Sequence, residues 1–130
     1  MSEPGQATSA DVTAACGAYL IVALADARVD TVEEARFLAG VVNDAAFRRF
    51  ESVSLAAEYN RLLALLKADW DAGEAEIMNA ISSIRADREA VAAVKIAARH
   101  AAIADQTIKV QEEFVLGRIA RALGLASEDL

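Results

Sequence analysis

The sequence predicts an all-α fold: a single compact domain of about six helices with two pseudo-symmetric helical hairpins. Alanine is the commonest residue, and Pro4 is the only proline among 130 residues, so the composition favours uninterrupted helices over strands and tight turns. Apolar residues recur at steps of three and four, which is the helical periodicity. The domain is predicted to span 9–125, with flexible tails over 1–8 and 126–130.

The first half of the chain is predicted to contain a central helix that ends near Ala25. Apolar residues surround this helix on nearly all sides, a pattern typical of a helix packed among others. After a turn, a second helix is predicted over about 31–43. The segment 44–51 is predicted to be a loop that turns Phe47 and Phe50 towards the core.

The middle of the chain is predicted to form two amphipathic helices. Apolar residues recur at helical steps from Leu55 to Leu66, and this third helix is predicted to end near Asp69. Gly73 lies close to the break that follows this helix. The fourth helix carries one apolar stripe, made of Ile77, Ile81 and Ile84.

The last two helices have recognisable ends. Asp87 can accept hydrogen bonds from the free amides at a helix start, so it is predicted to cap a fifth, alanine-rich helix that runs to about Ala104. The sixth helix is predicted from Val110 to Leu123. It stops at Gly124, the residue type that most often follows a helix.

Charge and cysteine content restrict the classes of function. The net charge of −7 opposes binding to the phosphate backbone, which depends on Lys and Arg, so no nucleic-acid partner is predicted. Cys16 is the only cysteine, which excludes an intramolecular disulfide and a zinc site of several thiolates. The longest apolar run, over 18–25, is far shorter than a membrane span. The expectation is a cytoplasmic protein with no direct membrane insertion.

A repeated motif is the most informative feature of the chain. Asp26 and Asp105 each follow alanine at the end of an apolar segment, and a branched aliphatic residue stands three positions later in both copies. Glu33 and Glu112 each lie seven residues after the aspartate, and the offset between the copies is constant (105 − 26 and 112 − 33 are both 79). The repeat predicts two similar corners, each joining a buried helix to an outer one.

The duplicated pattern Ala-Asp-x-x-aliphatic-x-x-x-Glu, with Ile119-Ala120-Arg121-Ala122-Leu123-Gly124-Leu125 after the second copy, resembles the TerB-like domain. That family includes bacterial tellurite-resistance proteins and the N-terminal part of certain membrane-anchored DnaJ-type co-chaperones. The resemblance extends from about Asp11 to Leu125. It implies a pseudo-twofold helical fold and a role in tellurite or general stress response. It also implies a metal site at the acidic residues that match by position, which are Asp26, Glu33, Asp105 and Glu112.

The acidic corners have two interpretations. Carboxylates that converge from both corners would suit a hard divalent cation, namely calcium, magnesium or manganese. Alternatively, each carboxylate only satisfies backbone amides at a turn or a helix start. The candidate ligands are Asp26, Asp30, Glu33, Glu34, Asp105, Glu112 and Glu113. No cofactor other than this cation is expected.

No catalytic residues are predicted, and the chain is expected not to be an enzyme. Cys16 stands ten residues before Asp26, whereas His100 stands only five before Asp105. If the repeat relates the two helices, this mismatch separates the side chains by about 7–8 Å along the axis and disfavours a Cys–His pair. Cys16 is therefore interpreted as a core residue.

A protein partner or a homo-oligomer is the second functional hypothesis. Arg48 and Arg49 lie between two phenylalanines, and Trp70 stands beside Asp71. Aromatic and arginine side chains are common where proteins bind one another. Alternatively, these aromatic residues cover the core beneath loops.

Overall fold

In a computed structural model of the chain, the described residues are 9–23, 39, 44, 47, 50–104 and 110–125. They form five α-helices and no strand, in agreement with the predicted fold class. The predicted second helix lies outside the described residues except for Ala39. The helices are α1 (Ser9–Ala23), α2 (Ser52–Ala68), α3 (Trp70–Ser83), α4 (Arg88–Ala104) and α5 (Val110–Ala122).

Helix α1 occupies the centre of the described fold, as its apolar sequence predicts. It packs most extensively against α4 and also contacts α2, α3 and α5. Every side chain from Ala14 to Val22 is buried. Its two buried polar residues, Asp11 and Thr13, lie in the first two turns.

Helices α1 and α2 pack against each other through polar and aromatic contacts. The Thr13 hydroxyl donates to the Glu58 carboxylate, and the Cys16 thiol lies 3.5 Å from the carbonyl oxygen of Leu55. The Tyr19 ring packs near the Tyr59 ring, with centroids 6.2 Å apart.

Helices α2 and α3 form a tight hairpin around Asp69. The Asp69 carboxylate accepts a 3.2 Å hydrogen bond from the amide of Ala72 and so caps α3. The break lies at Asp69, and Gly73 stands close to it, as predicted, in the first turn of α3. It is buried against Leu66, whose side chain leaves no room for a Cβ on Gly73. The glycine allows close approach of the two helices.

The predicted end signals of the last helices are confirmed. The Asp87 carboxylate accepts hydrogen bonds from the amides of Glu89 and Ala90 at 3.0 and 3.2 Å and caps α4. Gly124 follows α5 with φ of 76°, a left-handed conformation that glycine adopts without strain. The Leu125 amide reaches back to the Ala120 carbonyl at 2.8 Å, which satisfies one of the free carbonyls at the helix end.

Phe47 and Phe50 are both buried, as predicted for the segment before α2. Their ring centroids are 5.1 Å apart, a distance typical of favourable aromatic pairs. They therefore belong to the core and are not available for partner binding.

Candidate functional site

Most of the predicted acidic corner residues lie outside the described residues. This applies to Asp26, Asp30, Glu33, Glu34 and Asp105. Glu112 belongs to the backbone of α5, but its side chain is outside the described part, while Glu113 is exposed on the same helix. Among the side chains that the structure describes, no group of three His, Cys, Asp or Glu residues could hold a metal ion.

The helices that lead into the two corners are direct neighbours. Helix α1 ends at Ala23, three residues before Asp26, and α4 ends at Ala104, immediately before Asp105. These two helices form the most extensive helix pair in the described fold. The repeat thus relates two elements that pack against each other.

Cys16 lies in the core at the α1–α2 contact. Burial raises the pKa of its thiol, and the nearby Glu58 charge adds to this effect. Because the thiolate is the reactive form of cysteine, a raised pKa makes this sulfur a poor nucleophile near neutral pH. His100 is half-buried on α4.

An ion-pair network connects α1, α2 and α3. Both Glu58 carboxylate oxygens accept hydrogen bonds of 2.7 Å from Arg61, which also donates to Glu76 at 2.8 Å. Hydrogen bonds from Arg61, with a further one from Thr13, lower the pKa of the Glu58 carboxyl although its burial acts in the opposite direction. The Glu58 side chain is 17% exposed and that of Glu76 is 40% exposed.

The Glu58→Gln variant is expected to lose part of the acid sensitivity of the fold. Since the pKa of Glu58 is lower in the folded state than its ordinary value of 4.5, its stabilising effect is present above that value and is lost as the pH falls through the folded pKa. Urea denaturation between about pH 3 and about pH 7 measures this slope. Glu76→Gln is the matched control, and its effect should be smaller because exposed ion pairs contribute less. Equal slopes for wild type and Glu58→Gln would contradict the assignment.

Trp70 and Phe114 are exposed aromatic residues on neighbouring helices. Trp70, the first residue of α3, is 36% exposed, and its indole nitrogen donates to Glu74 at 3.2 Å. The other Glu74 oxygen accepts a 2.6 Å hydrogen bond from Arg118 on α5. Phe114, one turn before Arg118, is 69% exposed. We call Trp70, Glu74, Phe114 and Arg118 the α3–α5 surface.

The sequence predicted only one member of this surface. Trp70 was proposed for partner binding together with Arg48 and Arg49, which lie outside the described residues. Glu74 and Arg118 are 44 positions apart, so no local pattern pairs them. The only part of this surface that local spacing could indicate is the pair Phe114 and Arg118, which lie four residues apart on one helix face.

A comparison with protein-family models matches residues 12–130 to the family described as Tellurite resistance protein TerB. The match covers nearly the whole chain. This chain belongs to the TerB family. No curated protein and no solved structure matches it.

Membership of the TerB family confirms the resemblance derived from the duplicated corner motif. All five described helices of this TerB-family chain lie wholly or largely within the matched range. Within the described part, none of these helices has both the length and the apolar character needed to cross a membrane.

Proposed function

We propose that this TerB-family chain is a non-catalytic domain that binds a divalent cation at its two acidic corners and acts in a tellurite or general stress response. The observation that supports this proposal is the packing of α1 against α4. These helices precede the two copies of one acidic motif, at Asp26 and Asp105. The duplicated carboxylates therefore follow neighbouring helices.

Oxygen ligands determine which cations this site would accept. Carboxylates prefer calcium, magnesium and manganese over the softer zinc and copper ions. The first corner offers Asp26, Asp30, Glu33 and Glu34, whereas the second has Lys109 at the position equivalent to Asp30. The first corner is therefore proposed to contribute more ligands than the second.

Calorimetric titration of the protein with Ca²⁺, Mg²⁺ and Mn²⁺ tests the proposal. At least one cation is expected to release or absorb heat on binding, and the Glu33→Gln and Glu112→Gln variants should bind it at least about 10-fold more weakly, since each loses an anionic oxygen ligand. Glu51→Gln is the control, because Glu51 is exposed and makes no side-chain capping bond at α2.

Two results would refute the metal site. One is the absence of any binding heat with the wild-type protein. The other is unchanged cation affinity in both variants together with a lower melting temperature, because that combination is expected if the glutamates only cap helices.

A second candidate function is that of an adaptor that holds a protein partner, comparable to a co-chaperone-type scaffold module. The exposed Trp70 and Phe114 side chains support this candidate, because large aromatic residues on a surface often mark an interface. In this case no metal site is required.

A further inference from the structure

The α3–α5 surface is a preorganised arrangement of aromatic and charged groups. The Glu74 carboxylate uses one oxygen to bind the Trp70 indole nitrogen and the other to bind Arg118. Trp70 precedes Glu74, and Phe114 precedes Arg118, by four residues each. Each aromatic residue thus precedes one member of the same ion pair by about one helical turn. The two exposed rings belong to one patch.

The polar groups of Trp70 and Arg118 are already engaged by Glu74, which limits what these side chains can offer to a partner protein. The indole N–H of Trp70 is already donated to Glu74, so the exposed part of this side chain can offer ring carbon only. The Arg118 guanidinium is paired with the same carboxylate. The patch therefore presents apolar aromatic surface, whose faces attract cations.

Carboxylates outnumber cations beside the two aromatic residues, since Lys67 is the one exposed cation within three positions of either. Asp69 and Asp71 flank Trp70, and Glu113 precedes Phe114; all three carboxylates are exposed. The nearest cation on α5, that of Arg118, is balanced by Glu74. Charge complementarity consequently favours a basic partner over an acidic one.

We propose that the α3–α5 surface binds a basic amphipathic segment of a partner protein, whose apolar residues cover Trp70 and Phe114 while its Lys and Arg residues meet the surrounding carboxylates. This assignment rests on the adaptor function and adds the surface and the chemistry of the partner. Helices that present an apolar stripe beside basic side chains dock in this manner onto exposed hydrophobic patches.

Trp70 provides a specific reporter of binding because it is the only tryptophan of the chain. The probe is a synthetic amphipathic peptide of about 18 residues with leucine on one face and lysine and arginine on the other. The control peptide is identical except that glutamate replaces every basic residue. Addition of the basic peptide is expected to shift Trp70 emission. Its affinity should exceed that of the acidic peptide at least about 10-fold and should fall as salt is added.

Phe114→Ala and Val53→Ala are the matched variants. Phe114→Ala keeps the Trp70 reporter and should weaken binding of the basic peptide about 10-fold, since buried aromatic residues dominate interface energies. Val53 is 80% exposed and lies about 24 Å along α2 from the turn at Asp69, so Val53→Ala should leave binding unchanged. Circular dichroism verifies that both variants fold.

Each alternative result has a distinct meaning. Tighter binding of the acidic peptide, lost in Phe114→Ala, would overturn the basic partner and retain the adaptor function. No binding of either peptide, or binding that Phe114→Ala leaves unchanged, would overturn the surface itself. A dimer of the free protein in light scattering that Phe114→Ala converts to monomer would show that a second copy occupies the patch and would also overturn the proposal.

Discussion

Gly17→Ala is expected to lower the free energy of unfolding by about 2 kcal/mol, because the added methyl group overpacks the core. A Cβ on Gly17 would lie 2.5 Å from both γ carbons of Ile77 and 3.0 Å from its Cβ. Ile77 is fully buried, and its β-branched side chain has little freedom to rotate away. This clash exceeds the gain of about 1 kcal/mol that alanine brings to a helix interior. Urea denaturation of wild type and variant measures the difference.

A double-mutant cycle identifies the contact responsible. Ile77→Ala alone should cost about 3 kcal/mol, because it leaves a cavity in the core. In the Gly17→Ala background the same change should cost at least about 1 kcal/mol less, since the two residues are in direct contact. Strict additivity would show that Ile77 does not limit the space at Gly17.

Leu62→Ala is expected to destabilise the fold by about 3 kcal/mol, within the range for truncation of buried leucines. Leu62 is fully buried in the core, on the same face of α2 as Leu55, Tyr59 and Leu66. Removal of its side chain leaves a cavity that the packed neighbours cannot fill. Chemical denaturation followed by far-UV circular dichroism gives the change in the free energy of unfolding.

Leu63→Ala is the matched control for Leu62→Ala. Both variants make the same chemical change at adjacent positions of α2, so helix propensity contributes equally. Leu63 is only partly buried at the edge of the core, and its truncation should cost less than about half as much. Equal costs for the two variants would contradict the assignment of the buried face of α2.

Local features of the fold could be predicted from the sequence. The Asp87 cap and the Gly124 stop depend only on residues within a turn of the helix end, so a short segment contains the whole interaction. The same holds for the buried face of α2, although periodicity alone could not separate Leu62 from Leu63. The packing role of Gly73 could not be predicted, because it depends on contact with Leu66 on another helix.

The α3–α5 surface could be predicted only in part. The sequence singles out Trp70 because it is the only tryptophan in the chain and because tryptophan is enriched in protein interfaces. Phe114 follows two glutamates in an apolar helix, and a sequence pattern cannot decide whether one phenylalanine points inwards or outwards. Phe114 is exposed because α5 is oriented with Val115 and Ile119 buried in the core.

The sequence by itself determined the helical class, the helix ends at Asp69, Asp87 and Gly124, and the TerB family, because propensity, periodicity and the corner motif are properties of short segments. Only the tertiary structure decided that Thr13 meets Glu58, that Gly17 accommodates Ile77 and that Glu74 joins Trp70 to Arg118. The physical reason is that such pairs lie far apart along the chain. They meet only when burial of several apolar faces at once fixes the angle and rotation of every helix.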